Sequence, residues 1–340
     1  MSKLTIGIIG IGRIGKLHAE NLLRHPLATV KSISDVRAES LKEWASSAGI
    51  NHVTNDYQEL LIDSEIDAVF ICSPTSTHTD IIKEAAKAGK HIFCEKPISL
   101  TYDHSLNALE AVEEAGVKLQ VGFNRRFDHN FKKIYETVKS GTIGTPHIVK
   151  ITSRDPEPPS EQYIQTSGGM FMDMSIHDFD MARYVTGSEV EEVYVQGASL
   201  IDPVFSEYGD TDTAVMTLKF SNGAIGVIDN SRKAVYGYDQ RVEVFGSLGS
   251  AAVQNDVPTT IEISTSEGVY RDKPKHFFLE RYQDSYVQEI NAFIESILSD
   301  SPIACSGLDG LKAEQIAKAA KESYETGKPV KLESGIQVKR

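Results

Sequence analysis

Near the start of this 340-residue chain, an apolar run, LTIGIIG (4–10), passes into Gly10-Ile-Gly12-Arg-Ile-Gly15, and a helical pattern continues from Arg13 to Arg24. The first glycine permits a tight turn where a strand ends. The second lets a ligand approach the backbone, and the third lets helix and strand pack closely. A helix beginning there turns unpaired N–H groups and its positive dipole end toward the turn, so the group it suits is an anion. A second strand-like run, TVKSIS (29–34), ends at Asp35, at the offset where a carboxylate meets ribose hydroxyls. Gly10, Ile11, Gly12, Arg13, Ile14 and Gly15, with Asp35, therefore read as a dinucleotide site. A carboxylate at position 35 repels the 2′-phosphate of NADP and favours NAD; Arg37 could accommodate that phosphate, which keeps NADP as the weaker alternative. A rival motif, GxxxxGK from Gly10 to Lys16, fails at Leu17, where a P-loop needs a hydroxyl for Mg²⁺.

The pattern continues in the same style. IDAVFICS (66–73), KHIFCE (90–95) and VKLQVGF (117–123) read as strands; a helix covers Asp80–Ala88, with Gly89 as its C-cap. Near-continuous apolar strands alternating with helices imply a doubly wound parallel sheet, covered on both faces, over residues 1–123. After about residue 145 the period changes. Met216, Leu218 and Phe220 alternate with polar residues, Ser221-Asn222-Gly223 reads as a hairpin turn, and VEVFGSLGSAAVQ and TIEIST follow, so residues 124–340 read as an α/β domain with an antiparallel sheet. Two amphipathic helices close the chain, one with Val287, Ile290, Phe293, Ile294 and Ile297 on a face, the other with Leu308, Leu311, Ile316, Ala320 and Tyr324. The second of these is expected to pack back on the first domain.

A formal charge of −13 argues against nucleic-acid partners. No apolar run nears the ~18 residues that span a bilayer. The short apolar run after Lys3 reads as a strand, not a signal peptide. Cys72, Cys94 and Cys305 lack metal spacing, and an odd count without a signal peptide fits a reducing cytoplasm.

Two further places carry candidate chemistry. Glu95-Lys96-Pro97 lies just past the carboxyl end of a parallel strand, where open α/β sheets bind ligands, although a lone lysine in a loop is more often merely solvated. Asp173 and His177, four apart in GGMFMDMSIHD (168–178), share a face on a helix, so the carboxylate can fix the tautomer of a general base. Asp173 as a helix cap and His177 as a satisfied half-buried ring are the plainer alternatives. A metal held by Asp173, His177 and Asp178 is disfavoured because Asp178 points to another face, and no metal is expected. Arg125 and Arg126, and Tyr236 and Tyr238, read either as donors toward a hydroxylated ligand or as solvated surface.

These motifs together resemble the family of glucose–fructose oxidoreductases and inositol dehydrogenases. The likeness runs over nearly the whole chain, through GIIGIGRIGKLHAENL, SPTSTHTD, Glu95-Lys96-Pro97, VGFNRRFD, GGMFMDMSIHDFDMARY and YGYDQR, the last three looking most like the inositol 2-dehydrogenase branch. The resemblance implies a Rossmann domain, then an α/β domain whose open, mostly antiparallel sheet makes the contacts of a homotetramer. It implies NAD-dependent oxidation of a ring hydroxyl of myo- or scyllo-inositol to the keto-inositol, a polyol substrate being the partner. It also implies that His177 takes the hydroxyl proton, Asp173 orients His177 and Lys96 hydrogen-bonds the reacting oxygen. Arg125, Asp155 and Tyr236 would line the polyol pocket, Asp155 standing where inositol dehydrogenases often have Asn. Ser73, Pro74, Thr75 and His78, with Glu95 and Lys96, would lie along the cofactor. A relative acting on an aldose or other pyranoside would use the same three catalytic residues. A non-catalytic dinucleotide sensor would have no need of them.

Overall fold

The computed structural model describes residues 3–333. They form two compact units: residues up to 124 with 286–314, and 125–285 with 315 onward. The second domain expected from sequence, 124–340, is thus divided, residues 286–314 grouping with the first unit.

The first unit is built on six parallel strands, β1 (Leu4–Ile9), β2 (Ala28–Ser34), β3 (His52–Thr54), β4 (Ala68–Ile71), β5 (His91–Glu95) and β6 (Leu119–Gly122). Their order, β3-β2-β1-β4-β5-β6, reverses direction between β1 and β4. At such a switch point the following loops diverge and leave a crevice at the carboxyl ends of the strands. The helix Arg13–Arg24 follows β1 and buries Gly15, His18, Ala19 and Leu22. The helix Thr75–Lys87 begins five residues before the sequence pattern predicts, because Thr75, Ser76 and Thr77 form a polar first turn that apolar periodicity does not register. Its end follows the glycine: Gly89 takes φ +72°, and the amides of Gly89 and Lys90 return to the carbonyls of Ala86 and Ala85.

Residues 286–314 join this unit for a packing reason. Ile290, Phe293 and Ile294 enter the core formed by β1, β2, β4 and β5. Phe70 and Phe93 stack at 4.5 Å, and Phe293 meets their edges at 5.5 and 5.9 Å. Such offset and edge-on pairs add to the area they bury.

The second unit carries a seven-stranded sheet. Its strands are β7 (Pro146–Arg154), β8 (Val190–Ala198), β9 (Thr213–Phe220), β10 (Ile225–Ser231), β11 (Asp239–Gly246) and β12 (Gly249–Val253), a separate hairpin β13 (Glu262–Thr265) and β14 (Gly268–Arg271), and β15 (Val330–Lys331), which rejoins the main sheet. The order is β12-β11-β7-β10-β9-β8-β15. Only β7 and β10 are parallel, so the sheet is mostly antiparallel, as expected. The Ser221-Asn222-Gly223 turn closes β9 onto β10, with Gly223 at φ +86°. The helix Ser175–Thr186 packs on β7 and β10 and is buried nearly all round.

Among the described residues no helix is long and apolar enough to cross a membrane. Phe93→Ala removes the ring at the centre of the first core and should destabilise the protein by about 3–5 kcal/mol. Urea unfolding read by circular dichroism checks this.

Candidate active site

At the switch point the backbone is tight. Gly10 has φ +90°, and a Cβ there would strike the backbone at Cys72 and Ser73. A Cβ on Gly15 would strike the carbonyl of Gly10. Gly12 is the opposite case, since a Cβ there meets nothing within 4 Å. It opens the helix Arg13–Arg24 with no side-chain cap, leaving the first-turn N–H groups for a ligand. Asp35 holds this turn from the other side. Its Oδ2 accepts from the Ile11 amide at 2.8 Å, and its Oδ1 accepts from the Arg37 amide at 2.9 Å and Arg37 Nε at 3.2 Å. Burial alone would raise the Asp35 pKa; the hydrogen bonds from Arg37 and Ile11 outweigh it and hold the group ionised below its usual range. A cavity of about 540 Å³ opens beside it, lined by residues 36–40 and 53–55. The glycine turn, uncapped helix and ionised carboxylate fit a dinucleotide: amides for the pyrophosphate, an acceptor for the ribose.

Next along the sheet edge, Ser73 Oγ and Thr77 Oγ1 are 2.7 Å apart. His78 is buried beneath the loops. Its Nε2 lies 2.9 Å from the carbonyl of Ser73, and its Nδ1 2.9 Å from the carbonyl of Pro97. Burial lowers its pKa against the pull of these two carbonyls and of Glu95. Its ring joins the loop after β4 to the Glu95-Lys96-Pro97 turn after β5. The next residues are anchored by Glu314, which is buried in the same unit. Glu314 Oε1 accepts from the Ile98 amide at 2.7 Å and the Ser99 amide at 3.2 Å, and Oε2 accepts from Ser105 Oγ at 2.6 Å. Burial pushes its carboxyl up to about 7. Sequence reading missed Glu314, since its partners are more than 200 residues away.

The second unit holds the other candidates. Asp173 ends the helix Gly169–Asp173, and His177 lies half-buried in the first turn of Ser175–Thr186. Met174, between them, keeps helical angles, and its amide returns to the Met170 carbonyl. The pair thus spans a turn between two helices, not one continuous helix. Asp173 accepts from Tyr163 Oη at 2.8 Å and sits 3.0 Å from Arg232 Nη2. Arg232 Nη1 reaches Asp155 at 3.4 Å, so one buried guanidinium ties Asp155 to Asp173. Burial and the nearby Asp173 charge push Asp155 up, and Arg232 opposes them. Tyr163 and Arg232 were not legible from sequence, as neither sits in a motif.

Of the two readings open for the arginines, burial removes the solvated surface. Both are buried. Arg125 Nη1 donates to Asp178 at 2.6 Å and its guanidinium also reaches Ser153 Oγ. Arg126 grips Asp180 through Nε at 2.8 Å and Nη2 at 2.6 Å. Asn230 completes Asp178 at 2.8 Å, so Asp178 is turned to this network, in line with the separate face expected for it. Tyr236 Oη donates to Asp239 at 2.6 Å and accepts from Arg154 at 3.0 Å, while Tyr238 is buried beside Arg125. Lys96 belongs to the first unit; Arg125, Asp155, Asp173, His177 and Tyr236 belong to the second.

Comparison with known proteins agrees with these features. Residues 4–123 match the oxidoreductase family with an NAD-binding Rossmann fold, and residues 131–252 match the GFO/IDH/MocA C-terminal domain. The chain is 60% identical to an uncharacterized oxidoreductase of Bacillus subtilis, YrbE, over 97% of each chain. It is 50% identical to the myo-inositol 2-dehydrogenase of Thermotoga maritima, over 98% of this chain and 100% of the relative. The solved scyllo-inositol dehydrogenase of Lactobacillus casei, with bound NAD(H) and scyllo-inositol, superposes with a TM-score of 0.91 at 30% identity, covering 97% of this chain and 99% of that one.

Gly12→Val puts a side chain where a pyrophosphate held by this turn would approach, at an extended backbone position with open space around it. It should weaken NAD binding at least about tenfold while changing stability by no more than about 0.5 kcal/mol. Calorimetric titration and denaturant unfolding check the two halves.

Proposed function

We infer the reaction from one premise: the chain belongs to the GFO/IDH/MocA family of oxidoreductases, both of whose domain models it matches. The reaction is the reversible NAD-linked oxidation of a secondary ring hydroxyl of myo- or scyllo-inositol to the keto-inositol. What carries this reading is the dinucleotide turn at Gly10–Gly15 and Asp35, together with near full-length likeness to enzymes named for that oxidation.

Bound NAD⁺ supplies the acceptor for the hydride leaving the ring carbon. The chain handles the remaining proton and charge. His177 takes the hydroxyl proton as general base. Asp173, already held by Tyr163 and Arg232, supplies a fixed negative charge that favours the protonated imidazole. The Lys96 ammonium donates to the reacting oxygen and stabilises alkoxide character as it develops. Asp155 and Tyr236 supply polar groups for neighbouring ring hydroxyls. Arg125, held by Asp178 and Ser153, lines the same pocket.

The working form is a cytoplasmic homotetramer serving polyol catabolism. A row of half-exposed apolar side chains supports assembly: Ile148 on β7 pairs across the sheet with Ile225 on β10 and with Phe245 on β11. Large exposed apolar residues in one row mark an interaction face. Ile225→Asp should reduce the mass measured by sedimentation, with the monomer still binding NAD.

His177→Ala tests the chemistry. Turnover of myo- and scyllo-inositol, followed by NADH absorbance with D-glucose alongside, should fall about 10²–10⁴-fold, with NAD affinity unaltered. Unchanged turnover removes His177 as base, and activity on glucose alone moves the substrate to the aldose class.

A further inference from the structure

Beneath the Glu95-Lys96-Pro97 turn, Glu95 meets two buried ionisable groups, His18 and Glu289, to which the reaction assigns nothing. His18, from the helix Arg13–Arg24, and Glu289, from the helix Gln283–Leu298, are fully buried, and the Glu95 side chain is 15% exposed. His18 Nε2 lies 2.8 Å from Glu95 Oε1 and 4.0 Å from Glu289 Oε1. The ligating atoms of all three lie within 4.8 Å of one another. Neither carboxylate oxygen of Glu289 has a hydrogen-bond partner among the described residues.

His18 is edged by the rings of Phe70, Phe93 and Tyr286. The Cys72 and Cys94 thiols face Glu95, Cys72 faces Glu289 as well, and burial pushes both thiols up, which keeps them neutral. Gln120, from β6, spends its amide on the backbone carbonyl of Glu289. One imidazole, that of His18, is therefore shared between two carboxylates. Ionising both would set two negative charges against that single ring in an apolar pocket, the arrangement that proteins avoid by keeping a proton on one group. Glu95 has the hydrogen bond and the solvent edge, so the proton falls to Glu289.

We propose that Glu289 is held as a neutral carboxylic acid, and that this buried proton positions Glu95, and through it the end of β5 that carries Lys96. Burial and the charge of Glu95 both push the Glu289 carboxyl well above the usual range. With Glu289 neutral, Glu95 keeps its contact with His18 and stays packed against Gly122, where a Cβ would come within 3.1 Å of its carboxylate. As pH rises and Glu289 ionises, repulsion drives Glu95 from that seat and shifts Lys96. The link to turnover rests on the role given to Lys96 above.

Glu289→Gln tests this, because an amide copies the shape of the neutral acid and cannot ionise. Infrared difference spectra of the intact protein at neutral pH, wild type minus E289Q, should show the C=O stretch of a protonated carboxyl. Glu314, also raised, cancels in the difference. E289Q should keep kcat near neutrality within about twofold and hold it about one pH unit further into the alkaline range, with KM unmoved. A difference spectrum without that band overturns the proposal, as does a divalent metal that copurifies with the wild type and is lost in E289Q. The band is read without turnover, so it judges Glu289 even if Lys96 has another role.

Discussion

The close approach of Gly10 to the backbone at Cys72 and Ser73 is the contact on which the first unit's site depends. Strands β1 and β4 are neighbours whose following loops run opposite ways, and only a residue without Cβ fits where those loops part. From that point the geometry propagates by hydrogen bonds. The Ser73 carbonyl faces His78, His78 faces the Pro97 carbonyl, and the amides of Ile98 and Ser99 are taken by Glu314. The glycine loop after β1 and the lysine turn after β5, two strands along, are therefore parts of one connected edge. Buried polar groups in such a chain each need a partner, so replacing one member leaves the next unsatisfied.

The second unit solves a different problem. Its helix Ser175–Thr186 is buried on almost every side yet carries Asp178 and Asp180. Carboxylates can be accommodated there only with matched cations, and Arg125 and Arg126 supply them from the short segment after β6. Because the two arginines are adjacent and their partners two apart, the register between that segment and the helix is fixed by charge as well as shape. His177, one residue before Asp178, is held in place by the same register. Buried ion pairs contribute little to stability over apolar packing, so the arrangement makes best sense as a way of specifying one position for this helix.

How much of this the sequence carried depended on the range of each signal. Gly10, Gly12, Gly15 and Asp35 were legible because strand, turn and helix follow one another and the chemistry is local. The hairpin at Asn222-Gly223 was legible for the same reason. Strand β7 escaped notice although it sits in the middle of the larger sheet, because its pairing with β10 is parallel and joins residues some 77 positions apart, as in Thr152 with Asp229. Arg125 and Arg126 stayed open between ligand donors and solvated surface: spacing shows that two arginines are adjacent, but their buried partners lie 53 and 54 residues away. Glu289 and His18 gave no signal, since each reads as one polar residue on an otherwise ordinary helix.

Cofactor choice follows from how Asp35 spends its lone pairs. An ionised carboxylate oxygen accepts two hydrogen bonds comfortably. Oδ1 already takes both the Arg37 amide and Arg37 Nε, while Oδ2 takes only the Ile11 amide. The remaining lone pair on Oδ2 suits a ribose hydroxyl, which is a donor. A 2′-phosphate has no proton to offer and would bring two negative charges against a group that its neighbours keep ionised. Arg37, the one cation two residues away, is drawn back onto Asp35 itself and would have to abandon it to meet the phosphate. The same hydrogen bonds that shape the glycine turn therefore bias the site toward NAD.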